Sequence, residues 1–319
     1  MNRQTSRSAL SQAAGMSEPV RGARLTPGPL AVALLMLPAL LLLAAVYLWP
    51  LLQVSWLSGQ ASSVLTGLQA IPNGGANWRR LVGDARFWND AAFTLRFAAV
   101  SMALELALGL AIALLLHRPG RGRGWLRAAV LLPWALPGTV LALGWRWIFN
   151  DPYGPLNAVI QALGLPPYGF LTTPATTWLF VALADVWKTT PFVALLLLAG
   201  LQSIPPELEE SLRLEGASGL QILRRLTLPL LTPWMALALL FRLAQALGLF
   251  DLVQVLSRGG PAGSTESLAL YAYLQAMRFL DFGYSATLVL ATFLLLSALT
   301  LAGWLVWRLS LGRVVEAGR

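Results

Sequence analysis

The feature that most constrains this chain is the recurrence of apolar stretches long enough to cross a bilayer. Leu30–Trp49, Phe93–Leu116, Leu126–Phe149, Thr177–Leu201, Leu230–Leu252 and Tyr284–Trp307 carry at most two charged residues each. A transmembrane helix needs about 20 mostly apolar residues, so the expected fold is an all-α membrane protein with about six transmembrane helices. The first run ends in Tyr47-Leu48-Trp49-Pro50 rather than in a small-residue cleavage site. It is therefore read as an uncleaved span with Trp49 as its interface anchor.

Arginines set the expected sidedness. Residues 1–29 carry Arg3, Arg7, Arg21 and Arg24 against Glu18, and residues 308–319 carry Arg308, Arg313 and Arg319 against Glu316. His117–Gly124, between spans two and three, holds three further arginines. The positive-inside rule puts all three segments in the cytoplasm, as an even number of spans requires. The domains expected are a cytoplasmic N-terminal tail (1–29), a membrane domain (30–307) and a cytoplasmic C-terminal tail (308–319). Leu51–Ala91 and Asn150–Thr176 then lie outside, as does Ser257–Leu280, whose Thr265–Leu280 portion is expected to be an amphipathic outer helix.

Several function classes are excluded by absences. The chain has no Cys and one His, His117, which leaves neither a thiolate nor a histidine metal site. No metal or cofactor is expected. Lys188 is the only lysine, so a G-x-x-x-x-G-K-[ST] phosphate loop cannot form. Neither H-E-x-x-H nor G-x-S-x-G occurs, which leaves an intramembrane enzyme without a metal site or a nucleophile. The net charge of +9 is dispersed between apolar runs rather than gathered on one face, so lipid, not nucleic acid, is the expected surroundings.

The longest charged interruption is Ile204–Pro233, expected to form two short helices about a sharp turn. Pro205 and Pro206 suit a helix start, and Glu207, Glu209 and Glu210 suit the positive end of its dipole. Glu209 and Arg213 are spaced to pair. Gly216 is placed to end the first helix in a left-handed conformation, Ser218 and Gln221 to cap the second, and Pro229 to stop it. The order Glu210-Ser211-Leu212, Gly216, Leu226-Thr227-Leu228-Pro229 resembles the loop of permease subunits of binding-protein-dependent ABC importers. Those subunits carry E-A-A, three residues, G, nine residues and I-x-L-P. Leu226 stands for the family's Ile, and Ser211-Leu212 departs from its Ala-Ala pair. The resemblance implies a cytoplasmic coupling loop over 204–229. It assigns ATPase contact to Glu207, Glu210, Ser211, Leu212, Glu215, Gly216, Ala217, Leu226, Leu228 and Pro229.

The spans add polar groups of their own. Asp185-Val186-Trp187-Lys188-Thr189-Thr190-Pro191-Phe192 places two charges, two hydroxyls and a proline near the middle of span four, which is read as discontinuous. Asp185 and Lys188 are spaced to pair along one face. Two readings stand for them: fixing helix packing, or lining a translocation path. Trp145, Thr189, Thr190, Arg242 and Gln245 are the other candidates for such a path. The Asp185–Phe192 run, Tyr153-Gly154-Pro155-Leu156-Asn157 and Ser257–Glu266 are similar to carbohydrate permeases of the maltose, trehalose and glycerol-phosphate type.

That resemblance implies alternating access at an interface with a second, homologous permease. Two ATP-binding subunits and an extracytoplasmic solute-binding protein would complete an importer in the bacterial inner membrane. It favours a sugar or oligosaccharide. Arg146 and Arg242 keep a phosphorylated solute such as glycerol phosphate open. An ion-gradient-driven carrier is the alternative that intramembrane Glu105, Asp185 and Arg242 would permit.

Overall fold

The structure is a computed structural model that describes residues 29–118, 120 and 122–317. Most of the N-terminal tail, with Pro119, Arg121 and Arg319, lies outside the described residues. The chain divides into two units, Met1–Leu51 and Leu52–Arg319. In the first, α1 (Pro29–Leu43) passes through a π-helical turn at Ala44–Leu48 into α2 (Trp49–Ser58), whose remainder belongs to the second unit.

The second unit continues with a two-residue antiparallel ladder, β1 (Gln60–Ala61) with β2 (Ile71–Pro72), pairing Gln60 with Pro72 and Ala61 with Ile71. The helices that follow are α3 (Ala76–Gly83), α4 (Ala85–His117), α5 (Arg123–Ala135), α6 (Gly138–Ile148), α7 (Pro155–Ala162) and α8 (Pro174–Gln202). The charged loop gives α9 (Pro206–Leu214) and α10 (Gly219–Ile222), and the chain closes with α11 (Leu228–Leu247), α12 (Leu268–Met277) and α13 (Phe282–Ala317). Among the described residues five helices are long and apolar enough to cross a membrane, and the bent pair α5–α6 makes six if it is one span. Helices dominate because no water inside a bilayer can satisfy an unpaired backbone group.

Four proline and capping sites decide how these spans run. Asp84 accepts from the backbone N–H groups of Arg86, at 3.0 Å, and Phe87, at 3.4 Å. That cap starts α4 well before the first residue of the expected span. At Leu136 and Pro137 the backbone is extended, with ψ near 137° and 138°, because a residue before proline is pushed out of helical geometry. Span three is broken there by 90°.

Span four, in contrast, is not discontinuous. α8 runs unbroken through Pro191. The hydroxyls of Thr189 and Thr190 bond the carbonyls of Asp185, at 2.7 Å, and Val186, at 2.6 Å, in the turn that the proline disturbs. Such local satisfaction is what lets a proline stay inside a membrane helix. Pro229 likewise fails to stop the second loop helix. A π-helical turn at Leu223–Thr227 absorbs the hydrogen bond the proline cannot donate, and Gly219–Leu247 forms one span.

Three apolar clusters hold the unit together. One joins Ala113 and Leu116 of α4 to Val193 and Leu197 of α8 and Leu231 of α11. A second is aromatic, around Phe93, Phe97, Phe149 and Phe170. The third packs Leu81, Phe87, Leu268, Tyr271 and Tyr284. The expected outer helix, α12, belongs to this third cluster. Leu268, Leu270, Tyr271, Ala272 and Gln275 are buried, so it packs among the other helices instead of lying on the surface as an amphipathic helix.

Asp84 organises the polar border of that cluster. Its carboxylate accepts from the hydroxyls of Tyr271, at 2.6 Å, and Tyr284. Burial alone would raise its pKa, but those hydroxyls and the two capping amides outweigh burial and hold it below the ordinary carboxylate value. Burial and the Asp84 charge push the Tyr271 hydroxyl up to about 12. Arg80 lies 3.6 Å over the Tyr284 ring and pairs with Asp281 at 2.7 Å. Arg86 lies 4.5 Å over the Tyr271 ring.

Helices α4 and α8 cross closely at Gly109. A β-carbon there would stand 2.8 Å from Val193 Cγ1 and 3.2 Å from the Ala194 backbone nitrogen. Gly109→Ala should cost about 1–3 kcal/mol, the usual penalty of overpacking, and Gly109→Leu should prevent the pair from closing. Denaturant unfolding in micelles checks this: an alanine variant as stable as the parent would show that the crossing is loose.

Candidate functional site

Deep in the membrane unit, three helices meet at one guanidinium. Arg242 of α11 is 2% exposed and Glu105 of α4 is fully buried. Arg242 donates Nε to Glu105 Oε2, and Nη2 to Glu105 Oε1 at 2.7 Å and to Asp185 Oδ2 at 2.9 Å. Its Nη1 donates to Gln245 Oε1 at 2.9 Å. Thr189 Oγ1 lies 2.7 Å from Glu105 Oε1. Asp185 therefore pairs across 57 residues with Arg242 and not with Lys188 in its own helix, as the spacing predicts. A planar guanidinium offers a fork of donors that serves two carboxylates at once, which an ammonium on the same helix does not.

Beside this cluster opens a cleft of about 530 Å³, lined by Trp134, Gly138, Asp185, Lys188, Thr189, Arg242, Gln245 and Asp251 among others. Gly138 keeps part of it clear. A β-carbon there would meet Asp251 Oδ2 at 2.8 Å and Lys188 Nζ at 3.1 Å. The structure thus brings together five of the seven path candidates: Asp185, Lys188, Thr189, Arg242 and Gln245. Thr190 turns to its own helix backbone, and Trp145 packs into aromatic contacts with Phe149, at 5.0 Å, and Trp187, at 5.5 Å. Sequence reasoning left out Asp251 and Gly138, and named Glu105 only as a group that an ion-driven carrier could use. Glu105 had a usable signal, as the one acid in an otherwise apolar run. Asp251 reads as the end of a span, and no local pattern marks Gly138.

At the far end of α8 the charged loop follows its expected design. α9 ends in a turn where the Ala217 N–H bonds the Leu212 carbonyl at 2.9 Å and the Gly216 N–H bonds the Arg213 carbonyl at 3.0 Å. Gly216 sits at φ +83°, the left-handed conformation that this pattern requires. Glu209 and Arg213 pair at 2.6 Å, and Ser218 and Gln221 form a reciprocal cap. Glu207, Glu210, Ser211, Glu215 and Pro229 are exposed, while Leu212, Ala217, Leu226 and Leu228 are half-buried. Leu214 is 90% exposed at the tip and Leu220 is exposed beside it. Of α9 and α10, Ile222 alone is buried.

The family described as "Binding-protein-dependent transport system inner membrane component" matches residues 105–310, well over half of the 319-residue chain. The chain belongs to that family. This permease is 38% identical to the trehalose/maltose transport system permease protein MalF of Thermococcus litoralis, over 84% of this chain and 90% of that protein. It is 34% identical to the sulfoquinovosyl glycerol transport system permease protein SmoG of Agrobacterium fabrum, over 84% and 87%. It is 30% identical to the diacetylchitobiose uptake system permease protein DasB of Streptomyces coelicolor, over 86% and 85%. Its fold matches a chain in the crystal structure of a bacterial ABC transporter involved in the import of the acidic polysaccharide alginate. The TM-score is 0.74 at 21% identity, over 87% of this chain and 94% of that one. The permease is thus a multi-pass transport subunit of an importer, not an enzyme and not an ion-driven carrier. The matched region holds the ion cluster, the cleft and the charged loop.

Removing one member of a buried ion cluster strands the charges it served, at about 3–5 kcal/mol, whereas replacing the whole set is often neutral. Arg242→Met should therefore destabilise the permease by that amount, and adding Glu105→Gln and Asp185→Asn should restore most of the loss. Unfolding in micelles measures both. A triple variant no more stable than the single one would overturn this account.

Proposed function

We propose that this permease forms half of a path for a neutral mono- or oligosaccharide, opposite a second, homologous permease. Two ATP-binding subunits would engage the loop at 204–229, and an extracytoplasmic binding protein would deliver the solute. Both termini, the arginine-rich turn and the loop would face the cytoplasm of a bacterial cell. The cleft beside Arg242 carries the substrate reading. An anionic solute calls for unpaired cations, but Arg242 is bound to Glu105 and Asp185, and Arg146 Nη1 donates to the Val255 carbonyl at 3.0 Å. What remains for a solute is the Lys188 ammonium offset by the nearby Asp251 carboxylate, the Gln245 amide and the Trp134 ring, a set of both signs that suits hydroxyl groups. The trehalose/maltose and diacetylchitobiose systems named among the relatives support the same class.

For coupling, the supporting observation is continuity. α8 runs directly into the loop, and the helix leaving it becomes the span that carries Arg242. The exposed Leu214 and Leu220 give a partner protein an apolar hold on an otherwise charged tip. A push on the loop is then delivered to the two helices that carry Asp185 and Arg242, beside the cleft. Alternating access follows if that push separates or closes the cleft against the second permease.

Two measurements test this reading. Gly216→Val should insert normally but lose assembly with the ATP-binding subunits or solute-stimulated hydrolysis, because a β-branched residue resists positive φ. Glu210→Ala should be milder. Unchanged transport in the valine variant, or reporter fusions that place the loop outside, would remove the docking role. For the substrate, the reconstituted complex should take up labelled maltose, trehalose or a related sugar and leave glycerol phosphate. Uptake confined to an anionic solute would refute the carbohydrate assignment and leave the importer intact.

A further inference from the structure

A second and larger cavity, about 1160 Å³, lies at the end of α8 opposite the charged loop, walled by the first turns of α4 and α8 and by the turn at 262–266. Two of its lining groups are poorly satisfied. Asp90 is 3% exposed and has only the Glu266 carboxyl as a side-chain partner among the described residues, and Ser264 Oγ is buried without a bond. Buried polar atoms are rarely left so. Arg96, exposed on the same wall, uses Nε on the Ala92 carbonyl at 3.0 Å. Its Nη groups have no partner among the described residues. The Trp178 ring, half-buried, forms part of the α8 side.

The charges here narrow the ligand. Glu266 lies against Asp90, so an anion would meet an acidic pair. A metal cation would meet Arg96 and Arg86, and Arg86 already holds both oxygens of Glu266 at 2.9 Å. A neutral, hydroxyl-rich molecule meets neither objection. Its hydroxyls can donate to Asp90 Oδ2 and accept from Arg96, and its apolar ring face can lie on Trp178. Position adds a second argument. Trp178 and Asp185 are seven residues apart on one continuous helix, which puts them on the same face about 10 Å apart. The outer cavity and the inner cleft are therefore successive stations along one face of α8.

We infer that the outer cavity is an entry subsite that holds a neutral sugar before it reaches the cleft. This rests on the carbohydrate reading above. Because the chain has no cysteine, Ala175→Cys supplies a single thiol on this chain, at an exposed position on the rim. In the assembled complex in nanodiscs, maltose or trehalose should slow its labelling by a membrane-impermeant maleimide. Arg96→Gln should raise the sugar concentration needed about fivefold, as expected for one lost hydrogen bond. Lys188→Met, in the inner cleft, should leave that protection in place. Labelling indifferent to a sugar that the complex imports would remove the entry subsite and leave the carbohydrate reading standing. A thiol reactive in the isolated chain but silent in the complex would show that a partner subunit covers the cavity. Protection by phosphatidylglycerol instead of sugar would make the occupant a lipid. Each of these two outcomes also overturns the proposal. Import of no sugar at all would sink the carbohydrate reading itself.

Discussion

The guanidinium of Arg242 is the point on which the membrane unit turns. It joins α4, α8 and α11 through Glu105 and Asp185, with all three side chains almost wholly buried. A single charge at the centre of a membrane helix costs about 2.5–3.5 kcal/mol on insertion scales. Three such charges are tolerable only because each lies within the others' field and nearly every donor is used. The same cost gives the cluster its specificity. Apolar side chains pack almost as well after a helix slides or rotates, but an arginine that must meet two carboxylates and an amide fixes the register of three helices together. Loss of register would strand a charge, so the cluster selects one arrangement among many with similar apolar contact.

That selection explains which parts of the molecule were legible in the sequence. Gly216, the Ser218–Gln221 cap and the Glu209–Arg213 pair are local, with every partner within a turn or two, and the chain order alone identifies them. The apolar runs are legible for the same reason, since each span satisfies its own backbone. Asp185 was not, because its partner lies 57 residues away and a lysine three residues on offers a plausible local substitute. The prolines divide similarly. Pro137 breaks its span, whereas Pro191 and Pro229 do not, and the difference lies in what surrounds them. Threonine hydroxyls stand before Pro191 and a π-helical turn before Pro229, but Leu136 has neither. Residue type announces a possible break, and only the surroundings decide it.

The outer border is held by a different chemistry. Asp84 caps α4 and takes two tyrosine hydroxyls, while Arg80 and Arg86 cover those same rings and pair with Asp281 and Glu266. Arg80 and Arg86 thereby tie the segment around the start of α4 to the ends of α12 and α13. These bonds are partly exposed and individually weak, yet they share atoms, so the segment moves as a piece or not at all. The wall of the outer cavity is built from this frame, through Arg86 and Glu266.

A transport subunit must be stiff along its helices and yielding between them, and the distribution of polar bonds meets both demands. α8 carries the Asp185–Thr189 stretch on a helix unbroken through its proline, and the span with Arg242 is continuous from the charged loop inward. Displacement at the loop therefore has nowhere to dissipate before it reaches the cluster. The yielding element is span three, whose halves meet at 90° with Gly138 at the corner. At that corner the absence of a β-carbon lets Asp251 and Lys188 come in against the backbone. A bend of extended backbone, with no helical hydrogen bonds across it, is the part of the cleft least held in place. The cluster at Arg242 is the part held most firmly. Under the coupling role proposed for the loop, motion driven from it would widen or close the cleft on its Gly138 side.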